Sequence, residues 1–193
     1  MDTTQSIPPG AERLDIRVDE LRQLFNSMDP SPFRERDLDP SAEHYIVEWA
    51  SEVRDAAPLA LVVHVARNPS RREDLATLHL AVDEYFARAA AAARVRLKRL
   101  FRRGRWNLLI GVLFVAAANI IGDLAGELLG AGRHGRLIQE SFAIGAWVAL
   151  WRPIEIFLYD WWPIRREAEL FDRLSAMHVS VVTTPAAGAG ATD

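Results

Sequence analysis

From residue 106 to residue 129 the chain reads WNLLIGVLFVAAANIIGDLAGELL, and its only full charges, Asp123 and Glu127, stand near the far end. A bilayer core needs about 20 predominantly apolar residues in a helix, and this run supplies them. A second apolar run, residues 137–162, is interrupted by Glu140, Arg152, Glu155 and Asp160. Residues 130–136 (GAGRHGR) join the two. So short and glycine-rich a link predicts an antiparallel transmembrane hairpin. The soluble alternative is a helical hairpin buried in a globular core, but the first run is long and uniformly apolar for that.

Elsewhere the patterns are those of a small folded domain. Leu14, Ile16 and Val18 alternate with Asp15, Arg17 and Asp19, which predicts a half-exposed strand. Asp19 then stands where it would cap a short helix carrying Leu21, Leu24 and Phe25. The proline-rich stretch 28–40 is a loop, closing on Asp39 and Pro40 as N-cap and first residue of the next helix. Ala42, Tyr45, Ile46, Trp49, Ala50 and Val53 mark one face of that helix. LALVVHV, residues 59–65, suits a buried strand. Ser70 and Glu73 form a capping box opening a long helix, with Leu75, Leu78, Val82, Tyr85 and Phe86 on its core side. After the second run, Leu170, Phe171, Leu174 and Met177 predict an amphipathic helix, and HVSVV (178–182) a strand that joins the sheet of the first two.

The fold expected is therefore an α+β cytoplasmic domain, a small sheet with amphipathic helices, plus a two-helix transmembrane hairpin. Its parts are a polar lead (1–12), the domain (13–93), a basic juxtamembrane helix (94–105), the first span (106–129), an external link (130–136) and the second span (137–162). A helix and strand then return to the domain (163–182), followed by a flexible tail (183–193).

Charge orients the hairpin. Arg94, Arg96, Lys98, Arg99, Arg102, Arg103 and Arg105 precede the first span with no acid among them, and Arg165, Arg166 and Arg173 follow the second. The link holds only Arg133 and Arg136. By the positive-inside rule both termini are cytoplasmic. Trp106 at the start of the first span and Trp151, Tyr159, Trp161 and Trp162 near the end of the second fall at the same face, as an interfacial aromatic belt does. Residues 1–15 have no signal-peptide pattern. Together these predict a multi-pass membrane protein with both termini cytoplasmic, and anionic headgroups as partners of the basic helix.

Composition narrows the chemistry. The 193 residues carry 23 Lys and Arg against 26 Asp and Glu, a formal net charge of −3, which argues against a nucleic-acid partner. With no cysteine, disulfides, thiolate metal sites and thiol catalysis are excluded. The five histidines, His44, His64, His79, His134 and His178, include no pair at helical ligand spacing, and no nucleotide-binding or hydrolase motif occurs. No catalytic residue, metal site or cofactor is assigned on this reading.

Other patterns suggest interaction sites. Ala118, Gly122, Gly126 and Gly130 recur every four residues, as do Ser141, Gly145 and Ala149. Small residues at that spacing let helices approach within the hairpin, or against a second subunit. Asn119, Asp123 and Glu127 form a polar stripe, and with Arg152 and Glu155 they are candidate membrane polar sites. Asp123 and Glu127 lie close to the outer surface, which favours an interfacial role; Arg152 either pairs with Glu155 three residues on or snorkels towards the cytoplasmic headgroups, and Pro153 predicts a kink or a break. The loop residues Phe33, Arg34, Glu35, Arg36 and Asp37 alternate in sign and are candidates for contact with a partner or with the juxtamembrane helix.

DPSPFRERDLD (29–39), AEHYIVEWA (42–50) and WRPIEIFLYDWWPI (151–164) resemble stretches of uncharacterised small bacterial membrane proteins. The resemblance implies a two-span membrane protein and carries no catalytic residue with it. The expectation is a non-enzymatic protein that presents its domain at the bilayer for assembly, scaffolding or signalling, as a homo-oligomer or with a membrane protein partner. The alternative is a subunit of an oligomeric channel or transporter using the hairpin's polar residues.

Overall fold

The computed structural model describes residues 7–32, 35–54, 57–66, 72–129 and 133–183. The chain divides into two compact units, residues 1–92 with 167–193, and residues 93–166.

The first unit is built on a three-stranded sheet of β1 (Glu12–Val18), β2 (Leu59–Val65) and β3 (His178–Thr183), in the order β1-β2-β3 and parallel throughout. Leu14 pairs with Leu61, and Leu61 with Val179. The central strand explains its own sequence: covered on both faces, β2 is an unbroken apolar run apart from half-buried His64. That histidine is accommodated by Asp15 of β1, 2.7 Å from its Nε2. β1, at an edge, keeps the alternation read from its sequence, with Arg13, Asp15 and Arg17 exposed and Leu14 buried. Parallel pairing was not legible in those strands, because it requires crossovers supplied by distant chain. A 3-10 turn (Leu21–Leu24) and α1 (Pro40–Glu52) make the first crossover. The second contains the whole hairpin.

Two local expectations change. The 3-10 turn is closed by Gln23, whose Oε1 accepts from the backbone N–H of Asp19 (2.9 Å) and Glu20 (3.5 Å), instead of by the Asp19 side chain. At α1 the N-cap is as read: Asp39 accepts from the N–H of Ser41 at 2.9 Å and Pro40 opens the helix. The capping box at Ser70 lies outside the described residues.

α2 (Arg72–Leu129) is a single helix of 58 residues, running through the alanines, the basic segment and the first apolar run without a break. Leu78, Ala81, Val82, Phe86 and Ala90 are among its buried residues in the first unit, Phe86 stacking on Phe171 with ring centroids 6.2 Å apart. α3 (Arg133–Glu155) starts four residues before the expected second span, so Arg133–Arg136 are helical and not link. A mid-helix glycine costs only about 1 kcal/mol, so Gly135 does not stop it. Pro153 sits in the last turn of α3, which passes straight into a π-helical turn (Ile156–Asp160) and α4 (Trp161–Ser175). A widened turn is a recognised way to absorb an interrupted hydrogen-bond ladder.

Two helical stretches, Thr77–Leu124 and Glu140–Ser175, are long and apolar enough to cross a membrane. In each, only 17% of the most apolar window is buried. The helices therefore do not form the buried core of a soluble monomer. In the second unit they pack antiparallel, with Gly104 beside Ile156 and Phe157, and Gly111 beside Ala149 and Leu150.

Candidate functional site

Of the hairpin's candidate polar residues, Arg152 and Glu155 come together. Asn119 turns its amide into its own helix, donating to the carbonyl of Val115 at 2.8 Å. Asp123 and Glu127 are exposed. Arg152 forms an ion pair with Glu155 at 2.7 Å, the i, i+3 pairing read from the sequence, and its second nitrogen lies 3.5 Å from Asp160. This cluster borders an apolar groove of about 410 Å³ lined by Ile110, Gly111, Phe114, Val148 and Pro153 among others.

The small-residue stripes are split. Ala118 and Gly122 are buried, and Gly145 and Ala149 half-buried, but Ser141 is exposed and donates to the carbonyl of Leu137 at 2.8 Å. Gly126 follows on α2, and Gly130 lies outside the described residues. Close helix approaches also fall at Gly104 and Gly111, which the four-residue spacing did not include. Their signal was a seven-residue repeat, Gly104–Gly111–Ala118.

Arg94, Arg96, Lys98, Arg99, Arg102, Arg103 and Arg105 are all exposed on α2. Trp106, Trp151, Tyr159 and Trp162 are also exposed, while Trp161 donates from its indole to the carbonyl of Phe157 at 2.9 Å and stacks near Phe101. Arg165 and Arg166 lie over the rings of Trp161 and Trp162, 5.9 and 5.0 Å from the centroids.

The candidate partner loop is held at both ends. Its neck is a bridge between Phe25 and Leu38, with the N–H of Asn26 donating to the carbonyl of Asp37 at 2.8 Å. Across it, the Asp29 carboxylate accepts from the N–H of Ser31 at 2.9 Å and of Asp37 at 2.8 Å. Arg88 of α2 donates to the carbonyl of Glu35 at 3.0 Å and approaches Asp37 at 3.3 Å. Arg36 reaches back to the carbonyl of Ser31 at 3.3 Å, and Phe33 and Arg34 lie outside the described residues.

Hydrogen bonds to its charged form, first that from the N–H of Asp37, lower the Asp29 carboxyl from 3.8 to about 2. A depressed carboxylate stabilises the fold above its ordinary range and ceases to do so as pH falls through about 2. In an NMR titration the amide protons of Ser31 and Asp37 should therefore shift with a midpoint near pH 2. A midpoint near 3.8 would show that the clasp is not formed in solution.

Sequence reading passed over a cavity of about 580 Å³ in the first unit. It opens where β2 and β3 begin, walled by Pro8, Pro58, Leu59, Met177 and Val179, with His79, Asp83, Arg173 and His178 as its charged or titratable lining. Asp83 Oδ1 and His178 Nε2 are buried without a hydrogen-bond partner. Each such atom costs about 1–3 kcal/mol. Burial pushes the Asp83 carboxyl up, opposed by the charge of nearby His79. Arg173 donates to the carbonyls of Arg54 (2.9 Å) and Ala57 (3.3 Å), tying the α1–β2 connection to α4. The available signal was His79 and Asp83 at i, i+4 on one helix. Among the described residues no three His, Cys, Asp or Glu side chains are grouped to hold a metal ion.

No known family, curated protein or solved structure matches the chain.

Proposed function

We propose that the chain is a non-enzymatic integral membrane protein, placed in a bacterial inner membrane with both termini cytoplasmic, that holds its sheet-containing unit at the bilayer for assembly, scaffolding or signalling. The observation that carries this reading is the outward exposure of the apolar helices. Ile110, Leu113, Ile120, Ile144, Trp147 and Val148 are each at least 60% exposed. Soluble monomers rarely leave so much contiguous apolar surface in water, whereas lipid is a suitable solvent for it. The exposed arginines of α2 and the aromatic residues bracketing the hairpin support one face as cytoplasmic. The channel alternative has less support, since Asn119 is satisfied within its own helix and Arg152 is paired. Self-association through the hairpin is part of the proposal, and crosslinking in native membranes tests it: a strictly monomeric profile at all concentrations counts against it.

Because the chain has no cysteine, single substitutions report sidedness cleanly. In spheroplasts, His134→Cys should react with a membrane-impermeant maleimide, and Arg17→Cys only after permeabilisation. The reverse pattern would invert the orientation. Wild-type protein that is monodisperse in water without detergent would remove the membrane reading altogether.

A further inference from the structure

The apolar groove of the hairpin changes character along its length. At one end Phe114, Gly145 and Val148 line it, all without polar side-chain atoms. At the other stand Asn107 and Arg152. Just beyond that mouth are two carboxylates, Glu155 at 2.7 Å and Asp160 at 3.5 Å from nitrogens of the Arg152 guanidinium. The three side chains are 62, 41 and 30% exposed in that order of Arg152, Glu155 and Asp160, so a ligand can reach each of them. The groove owes its room partly to Gly145, where a Cβ would meet only Phe114, at 4.0 Å.

From Asn107 to Phe114 the helix α2 rises about 10 Å at 1.5 Å per residue, against about 15 Å for half of a 30 Å hydrocarbon core. Trp106 and Trp151, the sequence neighbours of Asn107 and Arg152, are exposed, as aromatic residues at the headgroup level are. On the proposed orientation the groove thus runs through most of the cytoplasmic leaflet and opens at the headgroups. Going outward, its chemistry is apolar trough, then guanidinium, then carboxylates. A phospholipid that ends in an ammonium has the complementary order: acyl chain, phosphate, ammonium. The sum of charge points the same way. Arg103, exposed on α2 one turn before Asn107, joins Arg152 against Glu155 and Asp160, so the mouth is neutral overall. An anionic headgroup brings nothing for the carboxylates, whereas a zwitterionic one engages both signs.

We propose that this groove binds one zwitterionic phospholipid of the cytoplasmic leaflet that ends in a primary ammonium, as phosphatidylethanolamine does. An acyl chain lies in the trough. The phosphate accepts from guanidinium N–H groups of Arg152 that the two ion pairs leave over, five being present in all, and from the Asn107 amide. The ammonium donates to Glu155 and Asp160; a primary ammonium brings three N–H donors, and a quaternary one brings none. Every residue of the site belongs to the second unit. The proposal rests on the membrane reading and adds to it a lipid held at a defined place, distinct from the diffuse attraction of anionic headgroups to the basic segment.

The test uses the full chain with one fluorophore. Since there is no native cysteine, Ile144→Cys places a label beside the groove, on an exposed position that does not line it. The labelled chain is reconstituted in phosphatidylcholine vesicles at high salt, which screens the basic segment. Phosphatidylethanolamine or phosphatidylglycerol with brominated acyl chains is then added in steps as quencher. Half-maximal quenching should come at a mole fraction about tenfold lower for phosphatidylethanolamine. Glu155→Gln with Asp160→Asn should remove that preference, and Gly145→Leu, which fills the trough, should return both lipids to the quenching of random mixing. Equal quenching by the two lipids in the otherwise unaltered chain would overturn the proposal, and a second copy seated in the groove would give that result. A preference that survives Gly145→Leu would also overturn it. Should a variant fail to fold, the two-lipid comparison still decides. A chain that stays in the aqueous phase beside the vesicles defeats the membrane reading and this proposal together; one that inserts without preference defeats this proposal alone.

Discussion

Phe86→Ala should destabilise the sheet-containing unit by about 3–5 kcal/mol, the usual cost of deleting a large buried aromatic. The ring is fully buried, stacked on Phe171 of α4 at 6.2 Å and edge-on to Tyr85 at 5.3 Å. It joins α2 to α4, the two helices that bound the long crossover between β2 and β3. Domains of this kind hold about 5–15 kcal/mol in total, so the loss takes much of the margin. Thermal unfolding by circular dichroism, together with amide exchange across β2 and β3, would measure it. Phe86→Leu, which keeps most of the apolar volume, should recover most of the stability. An alanine variant with unchanged Tm and unchanged β3 protection would show that α4 is not seated on α2 there.

Gly111→Leu should separate the two helices of the hairpin. A Cβ at position 111 would stand 3.1 Å from a methyl of Leu150 and 3.4 Å from the backbone oxygen of Ala149. The methyl can yield; the backbone oxygen cannot move without the helix. For Gly111→Ala the gain in helix propensity, about 1 kcal/mol, offsets a tight but adjustable contact, and the variant should be close to neutral. Leucine adds further atoms against the same backbone, and overpacking of this sort costs about 1–3 kcal/mol or more. Gly104→Ala should be the worse of the alanine variants, since its Cβ would come 2.9 Å from Cγ2 of Ile156, a stiff β-branched side chain that is 1% exposed. Tryptophan fluorescence during denaturation in mixed micelles would rank the three variants. A Gly111→Leu protein as stable as wild type would mean that the helices do not meet at this register.

The elements of the chain were largely legible from its residues. Alternation at Leu14, Ile16 and Val18, the unbroken run at residues 59–65, and Asp39 with Pro40 at the start of α1 are signals written within a few residues of where they act. Helix or strand period and N-cap chemistry are local physics. The paired Arg152 and Glu155 were legible for the same reason, one helical turn apart. The small-residue stripe was legible only in part. Four-residue spacing found Ala118 and Gly122, while the close contacts at Gly104 and Gly111 depend on which face of α2 meets the partner helix.

Sequence alone thus determined the periodicities, the caps, the apolar lengths and the asymmetry of positive charge, each a property of neighbouring residues. Tertiary structure decided the parallel order of the sheet, the glycine positions where the hairpin closes, and the cavity that gathers Asp83, Arg173 and His178. Those three residues line one cavity only because β3 returns to pair with β2 after the whole hairpin has been traversed. Contacts of such long range leave no periodic trace, since nothing in the spacing of one segment encodes the register of a distant one.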